Sequence, residues 1–97
     1  MDLSDFRVSL QQERPPRGLA APLLALWHEA RGEWAKAHEI VQEGSGKDAA
    51  RVHAYLHRKE GDTSNARYWY TRAGIEPSLL PLEREWERLV RDLLNAA

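Results

Sequence analysis

The sequence predicts an all-α protein, an α–α superhelix-like stack of two helical hairpins closed by a C-terminal capping helix. Three observations carry this reading. Apolar residues recur at helix spacing in successive segments from Leu19 to Leu94. No segment sustains the in–out alternation of a half-buried strand. Gly and Pro punctuate the gaps between the stripes. The 97 residues read as a single domain, long enough to bury a core without disulfides or a structural metal.

Residues 1–18 form a lead-in. Leu3, Phe6 and Leu10 make a short helical stripe with Ser4 as its cap, and Pro15, Pro16 and Gly18 turn the chain. The first hairpin spans 20–44. Pro22 suits a first helical turn, and Leu23, Leu26, Trp27 and Ala30 line one face up to Gly32. Trp34, Ala37, Ile40 and Val41 line the return helix, which stops at Gly44-Ser45-Gly46. The second hairpin spans 47–74. Its first stripe is Ala49, Val52, His53 and Leu56, ended by Gly61. Asp62 or Ser64 caps its second helix, whose stripe is Ala66, Trp69, Tyr70 and Ala73. Consecutive helical residues point about 100° apart, so Trp69 and Tyr70 are expected in the core and Tyr68 outside. A connector then leads to Pro81, which opens a helix over 81–96. Its stripe of Leu82, Trp86, Leu89, Val90, Leu93 and Leu94 is too apolar for water. It is expected to pack back onto the second hairpin with Trp86 as anchor.

Composition narrows the function classes. A formal charge of −1 favours neither nucleic acid nor an anionic membrane as partner. No apolar run approaches the roughly 18 residues of a membrane span, and the first residues lack the apolar core of a secretory signal. Cysteine is absent, which excludes disulfides and thiolate chemistry and fits a cytoplasmic location. The four Trp bring large apolar surfaces whose N–H groups need partners when buried.

An internal repeat supports the hairpin reading. Aligning 25–44 with 54–73 at an offset of 29 pairs Ala25 with Ala54, His28 with His57, Gly32 with Gly61 and Ala37 with Ala66. Glu33 and Asp62 are a conservative fifth pair. Glycine supplies the tight turn, and the alanine five positions on lets two helices approach closely. Each hairpin then leaves an apolar face that only a neighbour can cover. Gly32-Glu33-Trp34-Ala35-Lys36-Ala37 and Gly61-Asp62-Thr63-Ser64-Asn65-Ala66 resemble the Gly-acid-x-x-x-Ala turn of tetratricopeptide repeats. Ala66 to Gly74 is similar to the end of a Sel1-like repeat, and 53–74 is also similar to a set of small uncharacterised bacterial proteins. The likeness covers residues 20–77, with a period of 29 where the tetratricopeptide family has roughly 34. It implies a fold and a habit of binding proteins or peptides, and no chemistry.

Four constellations invite a functional reading. His53 and His57 stand at i, i+4, Glu60 follows one turn on, and His28 is the repeat-equivalent of His57. The spacing provides no third ligand, so helix packing is the expected role and neither metal nor cofactor is expected. Tyr68, Trp69 and Tyr70 could offer an aromatic platform, but core packing accounts for two of them. Glu83, Glu85 and Glu87 sit in the first turns of the last helix, where they suit its dipole, and Glu87 with Arg91 makes an i, i+4 pair. A solvated face is the expected role. The resemblance places first helices on a concave surface, so Arg51, Tyr55, Arg58 and Lys59 would face a groove with Leu26 and Glu29. Arginine there could grip a carboxylate through paired donors; a scattered solvent face is the competing reading. No phosphate loop, catalytic triad order or nucleophile elbow is present. The expectation is a non-enzymatic module that binds a protein or carboxylate-bearing peptide. The alternative is a structural or self-associating, homo-oligomeric helical protein without a small-molecule ligand, with a homodimer as one form.

Overall fold

The computed structural model describes residues 1–95, which form six helices and no strand. They are α1 (Leu3–Ser9), α2 (Ala21–Ala30), α3 (Trp34–Gln42), α4 (Gly46–Lys59), α5 (Thr63–Ala73) and α6 (Leu82–Asn95). The pairs α2/α3 and α4/α5 pack as hairpins, and α3 lies against α4.

Local chemistry sets most boundaries. Asp2, rather than Ser4, caps α1: its carboxylate accepts from the Asp5 N–H at 2.9 Å, and Asp5 returns the bond to the Asp2 N–H. The reciprocal pair satisfies two free donors, which a hydroxyl at position 4 cannot do from inside the helix. α1 stops at Ser9, well before Pro15, because Arg31 reaches back to the carbonyls of Leu10 (2.8 Å) and Gln12 (2.5 Å) and holds the chain in turns. Pro22 sits in the first turn of α2, and Asp62 caps α5 by accepting from the Asn65 N–H.

The two hairpin turns share one geometry. Gly32 and Gly61 have φ of +82° and +86°, the left-handed region that L side chains avoid. Beyond them, the Glu33 N–H donates to the His28 carbonyl and the Asp62 N–H to the His57 carbonyl, at 3.0 and 2.9 Å. Gly32 and Gly61 donate to Glu29 and Arg58 in the same way. These are Schellman turns, so three of the residue pairs aligned at offset 29 are the positions that end a helix. The four aligned alanines are all buried.

α6 departs from the expected cap. It packs on α4 of the second hairpin and equally on α2 of the first, so it crosses the inner faces of both rather than extending the stack beyond α5. α1 closes over its far side, with Phe6 and Trp86 rings 5.8 Å apart and Arg7 paired to Glu87. The reason is the inner face itself: Leu26, Tyr55 and Leu56 share one core cluster with Trp86, Leu89 and Val90 of α6. Tyr70 is buried and Tyr68 exposed as expected, but Trp69 is only half-buried and packs against a smaller cluster of Ala54, Ala66 and Tyr70. Three indole N–H groups find acceptors: Trp27 on Ser9 Oγ, Trp34 on the Leu56 carbonyl, and Trp86 on the Leu26 carbonyl at a long 3.5 Å. Among the described residues no helix is long and apolar enough to cross a membrane.

Candidate functional site

The six groove candidates lie on α2 and α4, and α6 packs against both helices. Leu26 and Tyr55 are fully buried. Arg51 pairs with Asp92 at 2.8 Å. Arg58 donates to Glu85 at 2.7 Å and to the Leu80 carbonyl at 2.5 Å. Lys59 pairs with Glu29. Both arginines are thus occupied by α6 and the connector before it.

Glu85 explains part of this arrangement. It was expected on a solvated face, yet it is buried, where it accepts from Arg58 and from the Tyr70 hydroxyl. A carboxylate taken out of water is tolerable only when paired and hydrogen-bonded, and Glu85 meets both conditions. Burial, reinforced by the bond to Glu85, raises the Tyr70 phenol far above its ordinary pKa. Glu87 pairs with Arg7 and Arg84, and the Arg7 hydrogen bond lowers its pKa.

α6 leaves an open cleft of about 610 Å³ between itself and α1, α2 and α4. Glu29, Tyr55 and Lys59 line it together with Leu10, Trp86 and Arg84. Glu29 is 2% exposed. One of its oxygens accepts from Lys59; the other, Oε2, is buried without a hydrogen-bond partner. Burial, then the neighbouring Glu29 and Glu85 carboxylates, raises the Tyr55 phenol, so its hydroxyl keeps its proton. On the other side of α6, Arg51 borders a second cleft with the connector residues Ile75 to Leu80. Leu79 there is 96% exposed.

A separate cluster forms where α3 meets α4. His53 and His57 stand one turn apart on α4, and His38 faces them from α3. The Nε2 atoms of His38 and His53 are 3.0 Å apart, and one ring nitrogen from each of the three lies within 4.8 Å of the others. His57 Nδ1 is 2.7 Å from Glu60 Oε1. Indoles close both ends: Trp34 stacks on His38 with centroids 4.9 Å apart, and Trp69 stacks on His53 at 3.8 Å. Burial, then the neighbouring His38 and His57, pushes the His53 pKa down to about 4. Burial and His57 lower that of His38 as well.

Sequence reasoning singled out His53 and His57 but missed His38. The signal was the Trp34/His38 pair at i, i+4, which puts the imidazole beside a stripe residue of α3. His28, equated with His57 by the repeat, lies outside the cluster and meets Glu33 at 2.9 Å.

Fold and geometry together define an all-α protein of packed helix pairs, with a mixed polar and apolar cleft under α6 and a histidine cluster between α3 and α4 among the described residues. No protein-family model, curated protein or solved structure matches the chain.

Proposed function

We propose that this chain is a non-enzymatic, tetratricopeptide-like module that binds a peptide segment of a partner protein in the cleft bounded by α1, α2, α4 and α6. The observation that carries the reading is the orphaned Oε2 of Glu29. A buried acceptor left unpaired costs about 1–3 kcal/mol, and a ligand that supplies a donor recovers that energy on binding. Lys59 already neutralises the carboxylate, so a neutral donor such as a peptide amide N–H suits the site better than a second cation. Leu10 and Trp86 offer an apolar wall for the adjoining side chain. The repeated Schellman turns and buried alanines support the helical-repeat comparison.

Peptide-array selection followed by titration tests this. Peptides selected by the parent should bind a folded Glu29→Gln variant about ten- to a hundredfold more weakly, the loss of one hydrogen bond to a charged acceptor. Equal affinity places the site elsewhere, and an array that yields no binder counts against the module. Self-association is the second reading, favoured by the exposure of Ile75 and Leu79 on the connector. A sedimentation mass twice that of the chain, lost in Leu79→Asp, would favour it.

A further inference from the structure

We propose that His38, His53 and His57 form a three-imidazole site for a divalent transition-metal ion of borderline softness, Zn²⁺ foremost, with a fourth position open to water. The sequence alone gave no third ligand; the packing of α3 on α4 supplies it.

The geometry is close to what such an ion requires. Zinc–imidazole bonds of 2.0–2.1 Å in a tetrahedron place ligand nitrogens about 3.3 Å apart. The His38–His53 separation is 3.0 Å, and all three rings offer a nitrogen within 4.8 Å of the rest. Contraction by rotamer adjustment on one ring closes the set. His53 and His57 lie nearly parallel, 5.0 Å apart with 18° between their planes, and His38 is roughly perpendicular to both, at 83° and 76°, so it approaches from a different direction than the α4 pair.

The surroundings fit as well. Glu60 accepts from His57 Nδ1, which fixes the tautomer with its lone pair on Nε2. A carboxylate behind a ligating imidazole orients it and raises its basicity. Trp34 and Trp69 hold the outer two rings in plane and limit their rotation. Two of the ligands come from one rigid helix at i, i+4 spacing, and both are buried, His53 at 4% and His57 at 5% exposure. His38 is only half-buried, which leaves a side open to solvent. A cleft of about 280 Å³ lined by His53, Trp69 and Arg72 reaches the cluster from the α5 side. Imidazole nitrogens select Zn²⁺, Cu²⁺, Ni²⁺ and Co²⁺ over the hard ions Mg²⁺ and Ca²⁺.

The test uses tag-free protein stripped with chelator. Titration with Zn²⁺ should show one ion per chain, and Co²⁺ should give the intense visible bands of a tetrahedral site. With ¹⁵N-labelled histidine, the ring signals of His38, His53 and His57 should move on zinc addition while that of His28 stays. His38→Gln, at a half-exposed position, should weaken binding by at least about a hundredfold, and Glu60→Gln by about ten- to a hundredfold. The proposal is overturned by the absence of stoichiometric binding at micromolar zinc, by movement of His28 in place of the three, or by full affinity in a folded His38→Gln. Should His38→Gln unfold, the ring signals of the parent and the Glu60→Gln affinity decide alone.

Discussion

His53 carries the sharpest residue-level consequence. Its pKa of about 4 in the native protein compares with about 6.5 in an unfolded chain. The groups around it are His38 from α3, His57 from α4 with Glu60, just past the end of α4, behind it, and Arg72 beyond Trp69 on α5. Below about pH 6.5 the unfolded chain takes up a proton that native His53 refuses. Stability from this group is therefore complete above that value and declines as pH falls toward about 4. In chelator-treated protein the urea midpoint should fall across that window, by the equivalent of about 3 kcal/mol, and His53→Gln should flatten the profile. An unchanged midpoint in the parent would mean that the ring is charged in the fold. Trp69 is the neighbouring case. Half-buried and stacked on His53, it should cost about 1–3 kcal/mol on truncation to alanine, against about 3–5 for the fully buried Trp27. Denaturant curves of the two variants make the comparison.

Elements were more legible than their ends. Spacing located every helix, because period 3.6 needs only the pattern of apolar residues. The caps required more. Ser4 looked like a suitable N-cap, but the acidic pair Asp2 and Asp5 satisfies two donors at once. The Gly-acid turns were legible because a left-handed backbone position almost dictates glycine. Gly32→Ala and Gly61→Ala should each cost about 1–2 kcal/mol by backbone strain alone, since a Cβ at either site would touch nothing within 4 Å. Similar melting-temperature losses for the two would confirm that the turns are equivalent; a neutral substitution at either would not fit its φ.

Across the whole molecule, the path of α6 was not legible. Its stripe announced burial but not against what, since apolar surface carries no address. The groove candidates suffered for the same reason: Arg51 and Arg58 looked free only while their acceptors, Asp92 and Glu85, lay on a helix assigned elsewhere. Glu29, Tyr55 and Lys59 line the cleft between α6, α1, α2 and α4, and Arg51 borders the separate cleft beside the connector. A chain ending at residue 80 should lose cooperative unfolding altogether, because it uncovers Leu26, Tyr55 and Leu56 together. A sharp melt in that fragment would show that two hairpins suffice.

The latch between α1 and α6 also sets the order of folding events. Each hairpin closes over a short loop, whereas the Trp86–Leu26 bond joins residues 60 apart and the Arg7–Glu87 pair residues 80 apart. Closing a long loop costs entropy that must be spent before its contacts form. The hairpins should therefore assemble first and the latch last, beyond the rate-limiting barrier. Mutations at Phe6 or Trp86 should then accelerate unfolding and leave the refolding rate nearly untouched, which stopped-flow chevrons would reveal as a shift of one limb only. The protein's lifetime against proteolysis in its opened form would be governed by two aromatic rings near opposite ends of the chain.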